Sequence, residues 1–475
     1  MLAFIISGHY LNHPNKLTKM DENATQVVKT NVAIPVGQQE RIQVIDALRG
    51  FALCGILIMN IIFFGLPFYM AEDPRLQNEL NQPLNHFWWM FMKFFMEGSM
   101  RGLFSILFGA GALLLLGRLE KRNAGLTPAD IYFRRLLWLF IFGLINGFLL
   151  NWPGDILYHY AIVGMFIFPF RKASPKLLIG FITVFVLITM VISFVKKRGI
   201  FEMRADGLTA MQLKKEGKTL NEKQEEALGA WEGFLKGTDT ATARAKSEKM
   251  KKSISEGGYF EVMGEMSTWT VKLESIKFYG SFFFDIIIFF LIGILLYKTG
   301  VITGEKSLLF YALMAILGYT LGFGEGYLRY RNVLAANFDL FAYYRKGGWP
   351  VDFYQLHRIC TSLGHLGLIM VLYKSGWFRW LLFPLSKMGQ MAFTNYLGQS
   401  LICGLIFYGY GLAYFGKLQR YELYYVWAGV ILFQIVFSVF WLNFFRFGPL
   451  EWVWRSLTYW KKQPIIKGNE VVELP

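Results

Sequence analysis

Long apolar runs separated by short polar stretches recur along the chain and determine the fold prediction. A helix that crosses about 30 Å of hydrocarbon needs roughly 20 residues. Runs of about that length cover residues 44–64, 87–116, 133–150, 155–170, 177–195, 278–297, 308–327, 354–373, 391–410 and 425–445. The sequence therefore predicts an all-α polytopic membrane protein, a bundle of about ten transmembrane helices.

The run at 87–116 is too long for one straight crossing. It carries Glu97, Gly98 and Ser99 in its interior. We therefore expect this segment either to begin as an interfacial helix or to be broken near these residues.

The polar stretches divide the chain into five predicted regions. Residues 1–40 are a polar tail that we expect to be disordered, and residues 461–475 form a second tail. Residues 41–195 hold an N-terminal membrane bundle with spans one to five. Residues 196–277 are a polar helical insertion outside the membrane, predicted to be a solvated cap. Residues 278–460 hold a C-terminal membrane bundle with spans six to ten, followed by an interfacial helix.

Composition supports the membrane assignment and excludes several other classes. The chain has 475 residues, of which 54% are hydrophobic and 17% are charged, with a net charge of +16. The basic residues lie between apolar runs, so the positive-inside bias explains them better than binding to nucleic acid. The three cysteines lie in apolar runs without CxxC spacing, so we predict neither a disulfide framework nor a metal site: Cys54, Cys360 and Cys403.

The short loops predict the orientation in the membrane. Basic residues cluster after the second span, at Arg118, Lys121, Arg122, Arg134 and Arg135, and again after the fourth, at Arg171, Lys172 and Lys176. By the positive-inside rule both chain ends are predicted to be cytoplasmic, with Asp155 near the outer face. The main exception is one predicted outer loop, which carries Arg329, Arg331, Arg345 and Lys346.

Asp155 and His159 follow a Pro-Gly turn between two apolar runs. In a helix over residues 154–168 they would lie one turn apart on one face. An ionisable residue at membrane depth is a functional-site hypothesis, and a carboxylate beside an imidazole is typical of a general base. The alternatives are that Asp155 only caps the helix and that His159 only bonds to a neighbouring helix.

Two further charged pairs occur at helical spacing. Asp46 and Arg49 are three apart at the start of the first span, whereas Glu97 and Arg101 are four apart in the second. Each pair could be structural, since pairing lowers the cost of burial. Functionally, Arg49 with Arg41 could receive the phosphates of a cytoplasmic donor, and Glu97 with Arg101 could belong to an acceptor site.

Polar side chains near the C-terminus complete the candidate substrate-binding set. Asn395 and Gln399 share a helical face beside Tyr396, and such residues also commonly join helices. Glu451 and Arg455 lie in the favourable i,i+4 order within an aromatic, interfacial segment.

Five motifs carry a resemblance to a known family. They are residues 41–50 with Asn60, RGLFSILFGAG at 101–111, GDIL at 154–157 with Tyr160 and Ala161, TNYLGQS at 394–400 and FGPLEWVWRSLTY at 447–459. On these residues the chain resembles the YeiB-like family of bacterial inner-membrane proteins, a domain of unknown function. The family often carries a histidine where this chain has Asn146.

That family in turn resembles the transmembrane acyltransferases that include heparan-alpha-glucosaminide N-acetyltransferase. The resemblance implies a bundle in the bacterial inner membrane that transfers an acyl group from cytoplasmic acyl-coenzyme A to a sugar, lipid or envelope glycan. No tightly bound cofactor is expected, and a homo-oligomer is left open. Arg49 would hold donor phosphates, and His159, oriented by Asp155, would be the base.

The alternative function is a transporter or lipid-handling protein. Its intramembrane Asp, Arg and Asn residues would line a path or carry protons. A third, non-catalytic alternative is an assembly factor that uses the insertion at 196–277 as its partner surface.

Overall fold

The computed structural model of the protein describes residues 42–77, 79–122, 125–339, 341–346 and 353–467. These ranges are helical and contain no β-strand, only an isolated bridge between Phe445 and Ile466. The predicted all-α polytopic fold is therefore confirmed. The predicted tail at 1–40 lies outside the described residues, as does Arg41.

The α-helices of the described ranges are numbered in chain order. They are α1 Gln43–Gly65, α2 Phe68–Glu72, α3 Pro83–Phe91, α4 Ser99–Arg122, α5 Thr127–Leu144, α6 Leu157–Ile167, α7 Pro175–Lys215, α8 Glu222–Gly237, α9 Thr240–Glu256, α10 Tyr259–Lys272, α11 Phe283–Lys298, α12 Leu308–Ala335, α13 Ala342–Lys346, α14 Tyr354–Ser375, α15 Arg379–Gln390, α16 Ala392–Phe407, α17 Arg420–Phe444 and α18 Pro449–Tyr459.

Within the described residues, eight helical segments are long and apolar enough to cross a membrane. They are α1, α5, α7, α12, α14, α17 and two composite helices, one containing α3 and α4 and the other α10 and α11. The remaining predicted spans, 155–170 and 391–410, contain α6 with 11 residues and α16 with 16. Both are shorter than the roughly 20 residues of a full crossing, so the count of about ten depends on these two helices.

The long second apolar run is interrupted where the sequence predicts a break. A π-helical turn, Met92–Met96, follows α3, and Gly98 then adopts φ +77° before α4 begins at Ser99. A positive φ is strained for residues with a side chain, which is why glycine stands here. The break turns Glu97 away from the helix that carries Arg101.

The polar insertion begins within a helix that also contains the fifth apolar run. α7 continues for 41 residues, from the apolar run at 177–195 to Lys215. α8, α9 and α10 follow, and a π-helical segment, Leu273–Phe282, joins α10 to α11. The insertion is therefore continuous with spanning helices at both of its ends.

The first helix lies at the centre of the bundle. α1 is buried along most of its length. In α7, α12 and α17, by contrast, most residues of the apolar stretch are not buried inside the protein. α1 packs closely against α15, because a Cβ on Gly389 would lie 1.9 Å from the main-chain oxygen of Asp46. Glycine at this position allows the close backbone contact that brings α15 against the start of α1.

Candidate functional site

A cavity of about 260 Å³ lies at the end of the bundle where α1 begins. We call it the basic cavity, because four arginines line it and only two carboxylates do. Its walls come from α1, α4, α5, α6, α15, α16 and α18. Its lining side chains that carry a polar atom are Asp46, Arg49, Arg118, Tyr132, Arg135, Tyr160, Gln390, Tyr396, Glu451, Trp454, Arg455 and Tyr459.

Both carboxylates of the basic cavity are already engaged. Asp46 accepts from Arg49 at 3.0 Å, so the predicted pair is confirmed. Glu451 accepts from the main-chain nitrogen atoms of Phe393 at 2.7 Å and Thr394 at 3.1 Å. It thereby caps α16, since these N–H groups belong to the first turn of a helix and have no acceptor within it.

Two arginines of the basic cavity lie over aromatic rings, whereas Arg49 pairs with a carboxylate. The Arg135 guanidinium lies 3.7 Å from the ring centroid of Trp454, and Arg455 lies 4.4 Å from that of Phe447. Within the described chain, no carboxylate lies within salt-bridge distance of Arg135. A stacked guanidinium of this kind keeps its N–H donors available to an anion.

Two buried tyrosines, Tyr160 and Tyr396, line the basic cavity. Tyr160 lies 2.6 Å from the Ser105 hydroxyl. Tyr396 accepts from the main-chain N–H of Ile156 at 3.0 Å and donates to Asp155 Oδ1 at 3.3 Å. The cavity is thus linked to Asp155 through the hydroxyl of Tyr396.

Asp155 is fully buried and receives several hydrogen bonds. Oδ1 also accepts from Asn146 Nδ2 at 2.7 Å, and Oδ2 accepts from the Tyr158 main-chain N–H at 2.8 Å. The capping role considered from the sequence is therefore present. Asn146 and Tyr396 add contacts that a cap alone does not need.

The expected pairing of the Asp155 carboxylate with His159 is not formed. The helix begins at Leu157, so Asp155 precedes it and its carboxylate turns to the helix N-terminus. The His159 Nδ1 atom instead bonds the main-chain oxygen of Asp155 at 2.8 Å. The imidazole packs 4.7 Å from the Phe278 ring centroid and does not line the basic cavity.

The expected pair of Glu97 and Arg101 is also replaced by other partners. Glu97 bonds Lys93 at 3.3 Å, whereas Arg101 bonds Asp285 at 3.1 Å. Arg358 binds the other oxygen of Asp285, so one carboxylate joins two guanidinium groups from α4 and α14. The sequence prediction missed Asp285 because its partners are distant along the chain.

The remaining predicted residues lie mostly in helix contacts. Asn395 donates to Ser438 Oγ at 2.9 Å, and Gln399 donates to Gln434 Oε1 at 3.1 Å. These bonds join α16 to α17, as the structural alternative expects. Asn60 is half-buried in α1 and does not line the basic cavity.

A second kind of charged site lies at Arg420, the first residue of α17. Arg420 Nε donates to both oxygens of Glu79 at 3.0 Å, and its Nη2 donates to the Ala71 main-chain oxygen at 3.0 Å. Both charged side chains are 1% exposed. Burial raises the pKa of Glu79, in the loop before α3, to about 7. The sequence analysis did not single out this pair, whose members are 341 residues apart.

Comparison with known proteins identifies relatives along almost the whole chain. Residues 296–461 match the family described as "Protein of unknown function (DUF418)". The uncharacterized protein YxaH of Bacillus subtilis is 30% identical over 453 residues, which cover 92% of this chain and 99% of YxaH.

A second relative, at lower identity, is covered almost as completely. The uncharacterized protein YeiB of Escherichia coli is 28% identical over 438 residues, which cover 90% of this chain and 98% of YeiB. No solved structure matches the chain.

Proposed function

The chain belongs to the YeiB-like family of multi-pass membrane proteins, and we propose that it is an acyltransferase that uses acyl-coenzyme A. The observation that carries the proposal is the basic cavity, which leads from four arginines to the tyrosine hydroxyl bonded to Asp155. A donor with phosphates at one end and a thioester at the other matches this arrangement.

The charged end of the cavity would hold the donor phosphates. Its two carboxylates are engaged, one with Arg49 and one at the start of α16. Arg135 keeps its donors without a carboxylate partner among the described residues. Guanidinium groups bind phosphate oxygens through paired N–H bonds, so this end favours a polyanion. The basic loop beside Arg118 and Arg135 would place this opening in the cytoplasm.

The walls beyond the arginines suit the apolar arm of the donor. Phe104, Leu107, Phe108, Leu136 and Leu139 line this part of the cavity. A pantetheine arm threaded along them would bring the thioester toward Tyr160 and Tyr396. In the proposed reaction an acceptor amine or hydroxyl attacks the thioester carbonyl, the carbon–sulfur bond breaks, and the coenzyme leaves as the thiol.

Asp155 has a specific role in this proposal. Its carboxylate bonds the Tyr396 hydroxyl, which lines the cavity, so it would position that hydroxyl beside the thioester. His159 does not line the cavity, and its Nδ1 atom bonds the main-chain oxygen of Asp155. As general base, His159 would therefore act on an acceptor that approaches from its own side.

The proposal is tested with purified protein in nanodiscs. Acyl-coenzyme A labelled in the acyl group is mixed with extracted envelope lipids and glycans, and label in the acceptor fraction is measured. We expect transfer by the unmodified protein and a loss of at least about tenfold in Tyr396→Phe, because a hydrogen bond to a charged group contributes about 1.5–3 kcal/mol.

Tyr425→Phe is the matched control, since Tyr425 is 70% exposed on α17 and lies outside the cavity. It should transfer label at the unmodified rate. Asp155→Asn retains a capping side chain and should still lower transfer, and His159→Ala tests the base directly. No transfer by the unmodified protein, together with solute uptake by proteoliposomes, would replace this proposal with the transporter.

A further inference from the structure

Buried polar atoms without partners occur around Asp155, on residues that do not line the basic cavity. Asn146, Asp155, His159 and Glu274 form what we call the acidic cluster. Asn146 Oδ1 and Glu274 Oε1 are buried and have no hydrogen-bond partner among the described residues. Asn146 is 0% exposed and Glu274 is 6% exposed. Each unsatisfied buried polar group costs about 1–3 kcal/mol, so this cluster requires an explanation.

Several contacts place these four residues together. Asn146 donates to Asp155 at 2.7 Å, and the His159 ring bonds the Asp155 main-chain oxygen at 2.8 Å. A Cβ on Gly147, the residue after Asn146, would lie 3.0 Å from Glu274 Oε1. The free oxygen of Glu274 therefore faces the segment that carries Asn146.

The charge of the cluster is not balanced within the described chain. Asp155 and Glu274 form no ion pair with a basic side chain there, in contrast to Asp285 and Glu79. The two acids both face the segment at residues 146 and 147, because Asn146 donates to Asp155 and a Cβ on Gly147 would contact Glu274. Two neighbouring acids without a cation favour a positively charged ligand.

The backbone around the cluster is unusual on two sides. Asn146 and Gly147 lie in a π-helical turn, Ile145–Leu149, and Glu274 lies in the π-helical segment Leu273–Phe282. These segments touch where Thr270 donates to the Gly147 oxygen at 3.1 Å. Such π-turns inside α-helices are frequent at functional sites.

We infer that the acidic cluster binds a primary ammonium group. An ammonium carries one positive charge and three N–H donors and has no acceptor, which matches two acids and two free acceptor oxygens. The described residues contain no group of three His, Cys, Asp or Glu side chains placed to hold a metal ion. This favours an organic amine over a metal cation.

The role of this site rests on the proposed function, because an amine bound here would be the acyl acceptor. Because Tyr396 and Asp155 lie between the cluster and the basic cavity, the bound ammonium would leave its proton on one of the two carboxylates, and the free amine would move past these side chains to attack the thioester carbonyl. Binding of an amine does not itself depend on acyl transfer. The two proposals can therefore fail separately.

The test uses the full chain in nanodiscs without any acyl donor. Thermal unfolding is followed with ethanolamine, with choline and with ethylene glycol, all at matched ionic strength. A ligand that binds only the folded protein raises the unfolding temperature in a saturable way. We expect this from ethanolamine alone, because choline has the charge without N–H donors and ethylene glycol has donors without the charge.

Glu274→Gln keeps the side-chain shape and should weaken the response to ethanolamine at least tenfold. Glu256→Gln, an exposed acid at the end of α9, is the matched control and should respond like the unmodified protein. No response to ethanolamine, an equal response to choline or ethylene glycol, or an unchanged response in Glu274→Gln would overturn the ammonium site. Label transfer without amine binding would contradict the ammonium site alone. Amine binding without label transfer would contradict only the proposed acyltransferase function.

Discussion

Arg420 and Arg135 are arginines of one membrane protein with opposite surroundings. Arg420 is held by both oxygens of Glu79 and by main-chain carbonyls, with almost no exposure. Arg135 lies over Trp454 at a cavity and has no carboxylate within salt-bridge distance in the described chain. A charge with all its partners inside the protein stabilises one arrangement of helices. A guanidinium that faces a cavity, with N–H donors that no carboxylate engages, can bind an anionic ligand.

Breaking the buried pair of Glu79 and Arg420 should give the largest loss of stability. Glu79→Ala leaves the Arg420 charge buried without its carboxylate, so we expect a loss of about 3–5 kcal/mol in the free energy of unfolding. Denaturant or thermal unfolding in nanodiscs measures it. Glu202→Ala removes one member of the exposed pair with Arg198 and should change stability by less than about 1 kcal/mol. Equal losses of stability in the two variants would show that the buried pair contributes no more than the exposed pair.

The same pair should give the next largest effect when the pH changes. Burial raises the Glu79 pKa from 4.5 to about 7, so the folded protein binds this proton more tightly than the unfolded chain does. The stabilisation is complete below about pH 4.5 and is lost as the pH rises through about 7, by at most about 3 kcal/mol. Unfolding measured from pH 5 to 8 should show this decline. Glu79→Gln should remove it, and an unchanged pH profile in that variant would contradict the assignment.

Asp46 and Arg49 lie between these extremes, because the carboxylate is buried whereas the guanidinium is half-buried. Asp46→Leu or Arg49→Leu alone leaves one charge unpaired and should cost about 1–3 kcal/mol. The double replacement should recover much of that loss. If the pair also serves the donor, the double variant folds but binds coenzyme A weakly. Normal binding in the double variant would make the pair purely structural.

Local spacing explains which parts of the site the sequence could predict. Asp46 and Arg49 pair as expected because the helix that carries both is continuous. Glu97 and Arg101 do not pair, since Gly98 turns the chain between them. Helical periodicity thus predicts a contact only where no break intervenes.

Contacts between distant segments explain what the sequence could not predict. Trp454 donates to the Arg135 main-chain oxygen across 319 residues, and Arg358 reaches Asp285 across 73. The apolar pattern identifies the helices and shows that the chain is a membrane bundle. It does not specify which helices are neighbours, so the basic cavity could not be assembled from single motifs.

We expect the smallest change in stability when Arg135 is replaced. Arg135→Gln removes a charge that has no carboxylate partner at hand and keeps a polar side chain beside Trp454, so unfolding should shift by less than about 1 kcal/mol. Affinity for coenzyme A should nevertheless fall at least about tenfold, because a charged hydrogen bond to phosphate contributes about 1.5–3 kcal/mol. Calorimetric titration in nanodiscs measures the affinity. Arg198→Gln, on the exposed part of α7, serves as the control for a general loss of positive charge. The difference in affinity between Arg135→Gln and the unmodified protein should also shrink as salt rises, since added ions screen the Arg135–phosphate contact that only the unmodified protein makes. A large loss of stability with unchanged affinity would place Arg135 with Arg420 among the charges that hold the fold.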